Sequence, residues 1–166
     1  DLAESARHAP RLGVDAGPVN VRWSEIRDRI FGRIDAIVAS GEDYRRESTN
    51  VALYRERARF IAPKVVAVGE EQFSADRFVI AAGSRPMIPD VPGIDDPALA
   101  DRIHTSDSIM RLGTLPKSLI IVGGGLVAAE FAHIFAAYGT HVTLLHRGQA
   151  LLEGDRQPHG ARTAGP

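Results

Sequence analysis

The chain has 166 residues, a net charge of -1 from 20 basic and 21 acidic side chains, and no cysteine. At that length one domain, or pieces of two, is expected. Near-neutrality gives no basis for phosphate-driven nucleic-acid binding or for a membrane surface, no apolar run approaches the ~18 residues of a membrane helix, and disulfides, thiolate zinc sites and thiol nucleophiles are excluded within these residues.

The sequence begins at Asp1, its only methionines are Met87 and Met110, and no charged-then-apolar signal segment stands at the front. It is therefore expected to be a fragment or a processed product. Residues 1–20 carry turn signals at Pro10, Gly13, Gly17 and Pro18. A helix is predicted next, because Trp23, Ile26, Ile30, Phe31, Ile34, Ile37 and Val38 recur at three- and four-residue steps. Gly41 is its expected stop, although Glu42 to Glu47 could extend it. Between Asn50 and Ala82, short β-branched and aromatic runs broken at Pro63 and Gly69 predict a small antiparallel meander of three or four strands. A proline-punctuated crossing follows, through Pro86, Pro89 and Pro92-Gly93. A short helix capped by Thr105, Ser106 and Asp107 is then expected to end near Leu112.

From Ser118 the pattern sharpens. Leu119-Ile120-Ile121-Val122 reads as a strand buried on both faces of a parallel sheet. Three glycines follow at once, then an alanine-rich helix over Leu126 to Tyr138, a helix stop at Gly139 and a second strand over Thr140 to His146. The composition of the final residues reads as a tail.

The glycines form Gly123-x-Gly125-x-x-Ala128 between a strand and a helix. Gly123 would allow the tight turn, Gly125 the close approach of a pyrophosphate, and Ala128 the close packing of helix on strand. The helix N-terminus would offer N–H groups and a partial positive charge to the phosphates. In this context the pattern is a dinucleotide-binding hypothesis. The second strand ends in Leu145-His146-Arg147, without the carboxylate that usually accepts the ribose hydroxyls of NAD. Arginine can pair with a 2′-phosphate, so NADPH is expected over NADH, which is not excluded.

Residues Ile120 to Ala132 resemble the nicotinamide-binding motif of the class I pyridine nucleotide-disulfide oxidoreductases, the flavin-dependent disulfide reductases. Phe78-Val79-Ile80-Ala81-Ala82-Gly83-Ser84-Arg85-Pro86, running on to Pro92-Gly93, is similar to the flavin-domain signature of the same family. Ser106-Asp107, Leu115-Pro116, Trp23 and Ala58-Arg59-Phe60 fit as well, over roughly residues 1–152, and the details most resemble the mycothione reductase branch. The resemblance implies an α/β, Rossmann-like flavoprotein fold binding FAD and NAD(P)H, with a small antiparallel meander. It divides the chain into the end of a first flavin segment (1–115), the start of a nicotinamide domain (116–150) and an off-family tail (151–166). It implies a backbone contact from Ala58 to the flavin nucleotide, and a lining of that nucleotide by Ala82, Gly83 and Ser84. Gly123, Gly124, Gly125, Leu126, Val127, Ala128 and Ala129 would cradle the NADPH pyrophosphate. Glu130 would approach the nicotinamide, His146 would replace the ribose-binding acid, and Arg147 would take the 2′-phosphate. A small disulfide substrate, a homodimer of the full-length protein and a cytoplasmic setting are implied too.

Some positions depart from the family pattern. Ala82 replaces a threonine, Leu126 stands where many members carry a tyrosine over the flavin, and Leu151-Leu152-Glu153 offers no second arginine. The resemblance places the first flavin glycine motif and the Cys-x4-Cys redox pair before Asp1, and the second flavin segment and the His–Glu pair after Pro166. No catalytic residue is therefore expected in this stretch, and the chain alone is expected to be inactive. Two other readings stay open: a non-catalytic nucleotide-binding remnant, and another two-dinucleotide flavoprotein of the NADH oxidase or ferredoxin reductase type. The six histidines show no metal-ligand spacing with a suitably placed acid, so no metal site is expected.

Overall fold

The computed structural model describes residues 2–148 and 150–152, so all of the tail beyond Leu152 lies outside the described residues. The chain divides into two compact units, one made of the segments up to Arg27 and from Asp95 onward, the other of Asp28–Ile94.

In the first unit, α1 (Leu2–His8) runs into a 3-10 turn over Ala9–Leu12. Two of the expected turn signals, Pro10 and Gly13, fall in this turn and at its C-cap. Pro10 sits at the start of the turn, where a missing N–H has no helical partner to lose. Helix α2 (Trp23–Glu47) begins in this unit with Trp23 buried. The short helix expected before Leu112 is only a 3-10 turn, Ile109–Arg111, because Thr105 and Ser108 hydroxyls satisfy local backbone and side-chain groups in place of a longer ladder. A further 3-10 turn, Pro97–Arg102, is capped by Asp96, whose carboxylate accepts from the Ala98 N–H at 2.8 Å.

Strand β4 (Ser118–Val122), helix α3 (Leu126–Ala137) and strand β5 (His141–Leu145) follow as expected. β4 and β5 pair in parallel, Ser118 opposite His141 and Val122 opposite Leu145. Gly139 ends the helix with φ +99°. Thr140 is buried and its hydroxyl donates to the Pro116 carbonyl at 2.7 Å, which sets the two strands level at their starts.

The core of this unit gathers Trp23, Ile109 and Phe135, with Leu115, Leu119 and Val142 packed against them. The Trp23 ring lies 5.7 Å from Phe135 and 6.2 Å from Tyr138, and its indole N–H donates to the Leu112 carbonyl at 2.7 Å. β4 is not buried on both faces. Leu119 and Ile121 are half-covered, but Ile120 is 64% and Val122 59% exposed. An unbroken apolar run cannot tell one covered face from two, and the two strands here have their core on one side only.

In the second unit, α2 continues past Gly41 to Glu47. Arg45 donates to the Gly41 carbonyl at 2.6 Å, and Arg46 pairs with Asp43 and Glu42 at 2.8 and 3.2 Å. These contacts one turn apart offset the modest cost of a mid-helix glycine. The meander has three strands, β1 (Ala58–Ala62), β2 (Val65–Val68) and β3 (Glu71–Ser74), all antiparallel. Val51–Leu53 and Phe78–Ile80 stay irregular. Ring contacts of Tyr54 with Phe73 (4.7 Å) and Phe60 with Phe78 (5.1 Å) hold those flanks to the sheet instead.

Phe135 is completely buried, so Phe135→Ala should lower the unfolding free energy by roughly 3–5 kcal/mol. Urea denaturation followed by tryptophan fluorescence checks this, since Trp23 reports directly on the lost ring.

Candidate nucleotide-binding site

β4 ends at Val122 and the chain turns through Gly123, Gly124 and Gly125 into α3. Gly123 has φ +144°, a conformation that L side chains rarely adopt, and its N–H donates to the Leu145 carbonyl at 2.9 Å. The turn is thus anchored to the end of β5. A Cβ added at Gly123 would meet the Ala128 Cβ at 3.6 Å, ordinary contact that a larger side chain at 128 would crowd. Gly125 is the N-cap of α3 with no side-chain hydrogen bond, and a Cβ there would meet nothing within 4 Å.

The first N–H groups of α3, from Leu126, Val127 and Ala128, have no intrahelical acceptors, and helical bonding begins at Ala129 N–H to the Gly125 carbonyl, 3.1 Å. Open space over Gly125, unpaired donors and the positive end of the helix dipole together fit a pyrophosphate. At the other end of α3 the Arg7 guanidinium donates to the Ala137 carbonyl, placing a cation at the negative end.

His146 and Arg147 follow β5 directly and both are exposed. The His146 ring lies where a Cβ on Gly124 would stand, and its Nε2 is 2.6 Å from the Ala150 carbonyl. The Leu152 N–H donates to the Gly124 carbonyl at 2.8 Å. The structure therefore brings Gly123, Gly124, Gly125, Ala128 and His146 together at one end of the β4–α3–β5 unit, with Arg147 next in the chain. Ala129 and Glu130 lie farther along α3, where they line an open depression with His133 and Ile134. Sequence reasoning missed the loop that folds back onto Gly124. The signal available was a third consecutive glycine at a position the turn itself does not require.

The residues expected to face a flavin lie in the Asp28–Ile94 unit. Ala58 opens β1 opposite Val68, and Ala82, Gly83 and Ser84 form an irregular stretch. All four are exposed, and Gly83 has φ +69° with nothing within 4 Å of an added Cβ, which leaves room for a nucleotide to approach the backbone. Among the described residues, no group of three or more His, Cys, Asp or Glu side chains could hold a metal, and no helix is long and apolar enough to cross a membrane.

The family model for pyridine nucleotide-disulphide oxidoreductases matches residues 5–164, a span that includes positions after Glu153. Mycothione reductase of Mycobacterium tuberculosis (strain CDC 1551) is 48% identical over 162 residues, covering 92% of this chain and 34% of that protein. Glutathione reductase of Burkholderia cepacia is 40% identical over 108 residues, covering 65% and 23% respectively. Dihydrolipoyl dehydrogenase of Bacillus subtilis is 28% identical over 162 residues, 93% and 34%. The chain thus spans about a third of the length of the first and last of these relatives. Among solved structures, the Cu(II) complex of the HOCl-induced flavoprotein disulfide reductase RclA from Escherichia coli superposes with a TM-score of 0.71 at 21% identity, covering 91% of this chain and 32% of that one, which supports the fold. With the glycine turn, the parallel strand pair and a family match over nearly its whole length, the chain belongs to the pyridine nucleotide-disulphide oxidoreductase family.

Proposed function

We propose that the chain is part of an NADPH-dependent flavoprotein that passes electrons through FAD to a low-molecular-weight disulfide, most similar to mycothione reductase. The observation that carries this reading is the glycine turn: Gly123 at φ +144°, open space over Gly125 and an uncapped helix N-terminus. The 48% identity to mycothione reductase supports the choice of substrate class. Residues 1–115 would belong to a flavin segment and 116–150 to the start of the nicotinamide domain. The full protein would act as a cytoplasmic homodimer.

When bound, the two cofactors supply hydride and electron transfer. The chain's own residues bind and orient. The N–H groups of Leu126, Val127 and Ala128 would hold the pyrophosphate, and the bare backbone of Gly125 would let it approach. Arg147 pairs with the 2′-phosphate, which a carboxylate at the same place would repel. Glu130, farther along the same helix, would approach the nicotinamide. Ala58 and Ala82–Ser84 present backbone to the flavin nucleotide. A thiolate must attack the disulfide, and these residues contain no cysteine. The chain by itself therefore binds nucleotide without turning over a disulfide.

Gly123→Ala forces an L residue into a strained backbone, so NADPH affinity should fall roughly tenfold or more. Isothermal titration checks this, with circular dichroism to show that the fold is retained. Arg147→Ala should weaken NADPH binding by roughly 10- to 100-fold while leaving NADH nearly unchanged. Tighter NADH than NADPH binding by the unsubstituted protein would refute the cofactor assignment. The 166-residue chain mixed with FAD and NADPH should reduce no disulfide in a thiol-release assay. Measurable turnover would show that its inactivity is misjudged.

A further inference from the structure

Gly124 is the one glycine of the turn whose Cβ position is already occupied by another side chain. Its φ is not positive, and it occupies a position that the dinucleotide-binding pattern leaves free. The space where its Cβ would lie is filled by the Nδ1, Cγ and Cε1 atoms of His146. The same imidazole reaches the Ala150 carbonyl through Nε2 at 2.6 Å. A carbonyl only accepts, so Nε2 carries the proton and Nδ1 is the nitrogen turned to the glycines. Leu152 N–H closes the loop onto Gly124 O at 2.8 Å, and Gly123 N–H holds Leu145 O at 2.9 Å. The segment that carries Arg147 is thus tied to the glycine turn at both ends, with His146 as the side chain that bridges them.

We infer that His146 is a positioning residue for nucleotide selectivity: packed on Gly124 and bonded to Ala150, it holds Arg147 at a set distance from the pyrophosphate turn, so that ligands bearing an adenosine 2′-phosphate are preferred. This rests on the reading of Arg147 as the 2′-phosphate partner. Gly124 and His146 act as a pair, since a methyl group on the first would displace the ring of the second.

The test uses 2′,5′-ADP and 5′-AMP as ligands, titrated calorimetrically against the full chain and its variants. His146→Ala should weaken 2′,5′-ADP binding by about fivefold, the scale of one lost hydrogen bond, and leave 5′-AMP within about twofold. His146→Gln, which keeps a donor on the side chain, should restore most of the preference. Equal weakening of both ligands, or a preference that survives His146→Ala, overturns the inference. If the unsubstituted chain does not distinguish the two ligands, it is the NADPH reading that fails, and the selectivity role with it. A thermal-denaturation cycle tests the pairing without any nucleotide. Gly124→Ala should lower the Tm when His146 is present and change it much less in the His146→Ala background. Additive shifts would overturn the pairing even if ligand selectivity changed.

Discussion

The buried indole of Trp23 is the contact on which the nucleotide-binding end depends. It packs on Phe135 and Tyr138 of the α3 region and donates to the Leu112 carbonyl, joining the start of α2, the 3-10 turn at Ile109 and the glycine-turn helix in one cluster. Aromatic pairs of this kind contribute about 0.5–1.5 kcal/mol beyond the area they bury. Arg27 reinforces the same place by donating to the Leu112 and Gly113 carbonyls at 3.1 and 3.2 Å. Few other large side chains are buried among the described residues, so little else fixes where α3 lies. The glycine turn inherits its position from that helix.

With α3 set, the electrostatics of the site follow. Arg7 donates to the Ala137 carbonyl at the C-terminal end of the helix, and no side chain caps its N-terminus. An anion is favoured at the open end by the helix dipole and the unpaired donors. On the proposed reading, Arg147, carried on the loop after β5, would extend that preference to a second phosphate. The proposed preference for NADPH would thus depend on a helix end and on one arginine that lies on a loop and not on a strand.

One face of the β4–β5 pair is covered and the other is bare, with Ile120, Val122 and Leu145 in water. Contiguous apolar surface of this kind marks a surface built to be covered. The second unit has the same character: β1 is exposed throughout and only Ala67 of the meander is buried. Both units carry the hydrophobic patterning of interior elements while burying only part of it. That agrees with a chain about a third as long as the relatives it matches over most of its sequence.

The sequence by itself determined the strand–glycine turn–helix–strand order, the small meander and the family, because each depends on local signals: apolar runs, obligatory glycines and a helical period. The turn at Gly123 and its contact with Ala128 could be expected from spacing alone, since their constraints are a positive φ and close packing. Helix α2 past Gly41 was ambiguous, because the side chains that sustain it, Arg45 and Arg46, act only once the helix exists. Only the tertiary structure decided that β4 is covered on a single face, because an apolar run does not state how many layers lie against it. Only the tertiary structure placed the His146 ring over Gly124, because that contact joins two segments on either side of a helix, and nothing local to either one announces the other.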